Sequence, residues 1–256
     1  MKVTIITVVY NGQDTIQDTI ESVLTQTYEN IEYIIIDGNS NDGTVEIIKS
    51  YGKKISKFIS EPDNGIYDAM NKGIGFATGD LIGFLNSDDL YLDASVIEKV
   101  VNTIESNKSN SCYGDLIYFD KNDNDKIIRN WHSDNYYNGI FKRGWHPPHP
   151  TFFVRKNIYE KFGNFNLEFK IAADYELMLR FLEKCNVSTC YIPETLVKMR
   201  IGGTSNRNIK NIIIANIECY KAWKVNNLQY NPLMFISKPL SKIQQFNYKK
   251  KSIWSA

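Results

Sequence analysis

The stretch Gly79-Asp80-Leu81-Ile82-Gly83-Phe84-Leu85-Asn86-Ser87-Asp88-Asp89 carries the densest chemistry in this 256-residue chain. An apolar run, Leu81 to Leu85, stops at a polar, acidic turn. A run of that kind bounded by Gly and Asp reads as a buried parallel strand, and open α/β sheets bind ligands beyond the carboxyl ends of their strands. Two carboxylates there, Asp88 and Asp89, suit a hard divalent cation shared with phosphate oxygens. The plain alternative is an Asp-rich turn that caps the next helix.

Other strand ends offer further groups. Val3–Val9 reads as a first strand followed by Tyr10-Asn11-Gly12, and a Tyr at that point either stacks on a base or covers the sheet edge. Ile31–Ile36 reads as a second strand ending at Asp37, placed to accept hydrogen bonds from a nucleobase N–H or ribose hydroxyls, or to shape a capping turn. In Glu61-Pro62-Asp63-Asn64-Gly65, the Asn-Gly pair makes a tight turn at a helix start, where free N–H groups favour phosphate. Asn71 and Lys72 follow two turns later, Lys72 either neutralising a diphosphate or standing in solvent. The glycines of Gly73-Ile74-Gly75-Phe76-Ala77-Thr78-Gly79 close a helix where a dinucleotide fingerprint would open one after a strand, which excludes a nicotinamide-binding reading.

These groups need a scaffold of alternating strands and helices. Beyond the strands above, the pattern predicts helices at Asp14–Thr25, Gly43–Tyr51 (capped near Asp42), Ile66–Ala77 and Ala94–Glu105 (after Asp93), with strands at Lys57–Ser60 and Leu81–Leu85. Repeated units of this length imply a mostly parallel α/β sheet flanked by helices. After residue 110 the pattern changes. Cys112–Asp120 and Lys126–Trp131 read as antiparallel strands, Lys156–Phe162 and Ala173–Lys184 as helices, and Thr189–Ile192 and Leu196–Arg200 as strands. His146-Pro147-Pro148-His149 reads as a loop lining a cleft, since its prolines fix an extended path unsuited to a two-histidine metal site. Arg155 and Arg180 are candidates for an acceptor phosphate or for plain ion pairs, and Trp131 and Trp145 for stacking on a sugar ring or for core packing.

The formal charge of +1 hides an asymmetry. Residues 206–256 hold nine Lys or Arg against Glu218 alone, while the first 205 residues hold 21 bases and 28 acids. Asn206–Asn226 reads as a helix. Beyond it, Leu233, Ile236, Leu240, Ile243 and Phe246 fall at helical spacing among lysines, ahead of Lys249-Lys250-Lys251 and Trp254. Such a basic amphipathic segment, 232–256, suits a membrane interface, or else packs on the body or a second copy. The balance gives no reason to expect nucleic acid. Four cysteines without metal or redox spacing read as free thiols in a reducing compartment. With no run long enough to span a bilayer, the expectation is a cytoplasmic protein, on the cytoplasmic face of the membrane if the tail attaches.

Taken in order, these pieces resemble the inverting glycosyltransferases of family 2, of GT-A fold and bacterial surface-polysaccharide type. The matching residues are Val3–Asn11 with Tyr10, Ile34–Thr44, Asn64-Gly65 with Asn71, Gly79–Asp89 as the DxD-type segment, Pro150–Lys156, and Ala173–Arg180. The likeness spans about residues 2–205. It implies a catalytic domain over 1–205, with a nucleotide-sugar half to about 110 and an acceptor half over 111–205, and a helical basic tail over 206–256. It implies a nucleotide-diphosphate-sugar donor, UDP-linked by preference, held by Val8, Tyr10, Asp37, Ser40, Gly65, Asn71, Lys72, Asn86 and Ser87. Asp88, with Asp89 or Asn86, would hold Mn²⁺ or Mg²⁺, Asp174 would be the general base, and His149, Arg155 and Trp145 would meet a glycan acceptor that is lipid-linked. The chain departs from the family pattern in Gly38, where a second acid is common, in Asn86, the neutral first member of the DxD, and in Ile201-Gly202-Gly203, where many members have a metal-binding His. A sugar-phosphate nucleotidyltransferase and a non-catalytic nucleotide-sugar-binding scaffold are the alternatives. The first lacks the Gly-rich, basic phosphate loop it would need after the first strand.

Overall fold

The computed structural model describes residues 1–120, 123, 125–201 and 209–230. Its centre is a nine-stranded sheet in the order β3-β2-β1-β4-β8-β6-β9-β5, with β7 paired to β6. The first half is parallel: β1 (Val3–Val9) lies between β2 (Ile31–Asp37) and β4 (Leu81–Phe84), and β3 (Lys57–Ser60) flanks β2. Val9 sits opposite Asp37, so these strands end together. The second half mixes directions. β8 (Phe153–Arg155) runs antiparallel to both β4 and β6 (Ser111–Phe119), while β9 (Thr189–Arg200) is parallel to β6.

Side chains of the parallel strands alternate between two cores, as a pleated backbone requires. Val3, Ile5, Tyr33, Ile35 and Leu81 pack on the face of α1 (Ile16–Leu24), α2 (Thr44–Ser50) and α4 (Val96–Asn107). Ile6, Val8, Ile34, Ile36, Ile82 and Phe84 pack on the face of α3 (Ile66–Phe76), α5 (Lys156–Phe162), α6 (Ala173–Leu179) and α7 (Ile209–Val225). The glycine-rich helix end has a packing reason: a Cβ at Gly73 would lie 2.5 Å from Ile6 Cγ2, so glycine lets α3 settle onto β1. Buried Glu32 ties three segments together, accepting from Lys2 Nζ (2.8 Å), Thr4 Oγ1 (2.7 Å) and Thr78 N (2.7 Å). Burial alone would raise its pKa, but the hydrogen bonds from Lys2, Thr78 and Thr4 bring it down to about 2.

Three features differ from the sequence reading. The two expected strands at the end of the acceptor half are one, β9, because Pro193 and Glu194 form a bulge between the Gly114–Ile192 and Asp115–Thr195 pairs; a proline inside a strand is tolerated at such a bulge. The acidic turn opens a further strand, β5 (Asp89–Tyr91), antiparallel to β9. The helix expected from 206 is found at Ile209–Val225, and it is built into the body: Cys219, Ala222 and Trp223 belong to the core, and Trp223 Nε1 donates to Tyr175 OH at 2.9 Å. The amphipathic segment 232–256 lies outside the described residues. All four cysteines are free, and among the described residues no helix is long and apolar enough to cross a membrane.

Candidate active site

The turns after β1 and β2 are laced together. Asn11 N–H donates to Ser40 Oγ (2.8 Å), Gly12 N–H to Thr44 Oγ1 (2.9 Å) and Asn41 N–H to Asn11 Oδ1 (3.0 Å). Asn11 and Asn39 take the left-handed backbone these tight turns need, which asparagine tolerates well. The result is a fixed platform on which Tyr10 stands 65% exposed. A large aromatic ring left in water beside a strand end is a stacking surface. The β4 loop adjoins this platform, with Ser87 Oγ 3.5 Å from where a Cβ at Gly12 would be.

Asp88, in the turn, is half-buried, and Asp89, the first residue of β5, is wholly buried. Asp89 Oδ2 accepts from Asn86 Nδ2 (2.9 Å), which turns the Asn86 carbonyl oxygen away. Among the described residues, Asn86 Oδ1 and Asp89 Oδ1 are buried acceptors with no donor in hydrogen-bond geometry, while the Arg200 backbone N–H lowers the Asp89 pKa. Burial raises the pKa of Asp88. It pushes Asp89 well above the carboxylate range, with the Asp88 charge adding to the effect and the Arg200 guanidinium opposing it at both. Oxygen atoms of carboxyl and amide groups gathered at a strand end form a donor set suited to a hard cation. Of the expected metal ligands, Asp88 is half-buried, Asp89 is wholly buried, and Asn86 is hydrogen-bonded to Asp89. No cluster of three acid, His or Cys side chains occurs among the described residues, so water and donor phosphates would complete a metal's shell.

Asp174 lies in the first turn of α6. Tyr67 OH, on α3, lies 2.7 Å from Ile171 O and 3.1 Å from Asp174 Oδ1. His149 stacks on Phe84 (centroids 5.6 Å apart) and meets Phe165 edge-on. Burial lowers its pKa while the Asp174 charge opposes the change, so its imidazole is neutral near pH 7. Glu218 of α7 accepts from the N–H groups of Lys170, Ile171 and Ala172 at 2.8–2.9 Å, capping the approach to Asp174. Trp145 packs against Tyr113 and Phe141, and its buried indole N–H has no acceptor, which leaves a donor for a hydroxyl.

Other expected site residues have different work. Asp37 is wholly buried, with its oxygens taken by Ser40 N–H (3.0 Å), Ser40 Oγ and Ser60 Oγ (2.6 Å). It holds the turn, and Ser40 is its clamp. The Val8 side chain is in the core. The Asn71 amide exchanges two hydrogen bonds with the Phe165 backbone (2.9 and 3.0 Å), so it fastens α3 to the acceptor half. Lys72 pairs with Glu61 at 2.8 Å, donates to Pro62 O, and has its pKa raised mainly by Glu61, so its charge is already matched. Gly65 N–H, expected to be free for phosphate, donates to Asp63 Oδ1 (2.8 Å). Arg155 lies opposite Leu81, at the far end of β4 from Asp88, and its Nε donates to Ser109 O. Arg180 is held by Glu176 and by three carbonyls. Two functional candidates escaped the sequence reading. Tyr67 lay inside a motif already singled out, and Arg200 was passed over because that region was searched for a histidine.

A parallel half-sheet whose strand ends gather an exposed ring and an acidic loop, joined to a mixed half that brings in a carboxylate from a helix start, defines a GT-A-type fold. The family model described as glycosyl transferase family 2 matches residues 4–163, so Asp174 lies beyond that match. An uncharacterized glycosyltransferase of Mycobacterium tuberculosis strain H37Rv is 34% identical over 202 residues, covering 73% of this chain and 71% of the relative. A PGL/p-HBAD biosynthesis glycosyltransferase of Mycobacterium bovis is 28% identical over 199 residues, covering 73% and 72%. Among solved structures, S. aureus TarS 1–349 in complex with UDP-GlcNAc superposes with a TM-score of 0.69 at 16% identity, covering 88% of this chain and 65% of that one. The mannosyltransferase PcManGT from Pyrobaculum calidifontis, in complex with GDP-Man and Mn²⁺, gives 0.64 at 14% identity, covering 96% and 69%. The chain belongs to glycosyl transferase family 2, and it is a glycosyltransferase, which sets the nucleotidyltransferase reading aside.

Proposed function

We propose that the chain transfers a sugar from a nucleoside-diphosphate sugar, UDP-linked by preference, to a hydroxyl of a lipid-linked glycan acceptor in surface-polysaccharide synthesis, with inversion at the anomeric carbon. Asp88 and the Asn86 carbonyl hold Mn²⁺ or Mg²⁺, which when bound screens the leaving diphosphate. Tyr10 supports the base. Asp174, steadied by Tyr67, takes the proton of the attacking hydroxyl, a role that typically contributes about 10²–10⁴-fold. Neutral His149 and the Trp145 N–H line the acceptor side. Residues 1–205 with the α7 helix form the catalytic body, and the basic segment 232–256 gives reversible attachment to the cytoplasmic face of an anionic membrane.

The observation that supports this reading is the buried Asn86 Oδ1, without a hydrogen-bond donor among the described residues, next to half-buried Asp88 after β4. Structures of the same fold support the donor class: TarS was solved in complex with UDP-GlcNAc, and PcManGT in complex with GDP-Man and Mn²⁺. A thermal-shift screen of UDP-, GDP- and dTDP-sugars with and without Mn²⁺ tests it, because a ligand that binds the folded state raises its melting point. The expected result is a metal-dependent rise with a UDP-sugar, followed by an inverted anomeric configuration in the transfer product. No rise with any donor would overturn the reading.

A further inference from the structure

The structure leaves the base-reading position without its expected acid. Asp37 is sealed by Ser40 and Ser60, and residue 38 is glycine. The space at Gly38 is nevertheless filled. A Cβ built there would lie 2.6 Å from Asp63 Oδ2 and 3.4 Å from Tyr10 Cδ2. A carboxylate from a different segment, the turn between β3 and α3, thus stands where a side chain at 38 would begin, beside the exposed Tyr10 ring.

We propose that Asp63 is the nucleobase-reading residue of this enzyme, selecting bases whose pairing edge carries a ring N–H. This rests on the donor reading above. Asp63 Oδ1 accepts from Gly65 N–H (2.8 Å), which fixes the carboxylate. Oδ2 has no hydrogen bond or ion pair with the described residues, so it is available to a ligand. A base resting on Tyr10 turns an edge toward this oxygen. An ionised carboxylate only accepts. It therefore welcomes the N3–H of uracil or thymine and the N1–H and amino group of guanine. It opposes the bare N3 of cytosine and N1 of adenine, which are acceptors themselves, so those bases can offer it only their exocyclic amino group. A site built around a hydrogen bond rejects a partner that cannot complete it far more strongly than an apolar site rejects a wrong shape. Gly38 has its reason in the same geometry, since any larger residue there would collide with Asp63.

The test uses the full-length protein, Mn²⁺ and four free nucleotides, UDP, GDP, CDP and ADP, with calorimetric affinities for wild type, Asp63→Asn and Asp63→Ala. Asparagine keeps the oxygen that caps Gly65 and replaces Oδ2 with an N–H donor. The expected wild-type order places UDP or GDP at least about tenfold ahead of CDP and ADP, the worth of one hydrogen bond to a charged group. Asp63→Asn should lower affinity for the favoured nucleotide by about tenfold or more and improve CDP, narrowing or reversing the ratio. Asp63→Ala should lose the preference without gaining CDP. A melting point within a few degrees of wild type shows that each variant is folded; if Asp63→Ala is not, the isosteric Asp63→Asn decides. An unchanged UDP-to-CDP ratio in folded Asp63→Asn refutes the role of Asp63 and leaves the donor reading standing. Wild-type preference for CDP or ADP refutes the base class. Failure of wild type to bind any of the four nucleotides removes the donor reading, and the Asp63 assignment falls with it.

Discussion

The Tyr67 hydroxyl stands 3.1 Å from Asp174 Oδ1 and 2.7 Å from the Ile171 carbonyl, so a residue of the donor half holds the proposed base of the acceptor half. The phenol keeps its proton, because burial and the adjacent Asp174 charge raise its pKa well above the ordinary value. Its single proton is shared between the Ile171 carbonyl, the nearer acceptor at 2.7 Å, and Asp174 Oδ1 at 3.1 Å.

Asp174→Asn should therefore lower kcat by about 10²–10⁴-fold, the usual share of a general base, with donor affinity unchanged. Tyr67→Phe should lower kcat by about tenfold, the worth of one hydrogen bond to a charged group. Steady-state kinetics beside calorimetric titration of donor separate the two parameters. Wild-type turnover in Asp174→Asn would remove this residue from the mechanism.

The acidic loop makes a sharper prediction, because its two aspartates have opposite environments. Asp88→Asn should abolish the Mn²⁺-dependent rise in melting point seen with a UDP-sugar. Asp89→Asn should retain it: Asp89 is wholly buried, its pKa is already pushed far up, and an amide can still face Asn86. Chelation of wild type should stop turnover, and added Mn²⁺ should restore it. Equal loss of the metal response in both variants would reinstate Asp89 as a ligand.

The parallel half of the fold was legible because each strand is a short apolar run closed by a turn. Lys57–Ser60 and Ile66 onward match the structure to the residue at their starts. β8 was not legible, since three residues after a proline-rich loop carry no periodicity, and its place between β4 and β6 comes from long-range pairing. The site was legible by location more than by role. Sequence brings Asp37, Asn71 and Lys72 to strand ends and helix starts, but only coordinates reveal that Ser60, Phe165 and Glu61 already occupy their polar groups. The Asp63 contact with Gly38 joins two loops across a strand edge, a relation that no local spacing encodes.

His149 gives the pH dependence. Its folded pKa lies below the ordinary value of 6.5 because burial against Phe84 and Phe165 disfavours the charged ring, with Asp174 opposing the shift. A histidine of lowered pKa binds its proton more readily in the unfolded chain. Its penalty is absent above the unfolded pKa and grows as pH falls through that value toward the folded one. Wild type should lose melting temperature relative to His149→Gln between about pH 7 and pH 5. A constant difference between the two proteins over that range would show that the imidazole does not titrate between the folded and unfolded states.

The last prediction concerns the helix that sequence assigned to a tail. Glu218 reaches from α7 to three consecutive N–H groups, Lys170, Ile171 and Ala172, immediately before the α6 turn that carries Asp174. These groups lie just before the first turn of α6, and of the three hydrogen bonds only that from Ala172 is fully buried. Glu218→Ala should cost about 1–3 kcal/mol of stability in urea denaturation, the range for leaving a buried donor unsatisfied. Amide exchange at 170–172 should accelerate, and kcat should fall through misplacement of Asp174. Glu218→Gln, which keeps one carbonyl oxygen for the same donors, should recover part of both. A helix that merely covered the body would give a stability loss with kcat unchanged in the folded fraction, so the joint fall in kcat is the result that makes α7 part of the catalytic machinery.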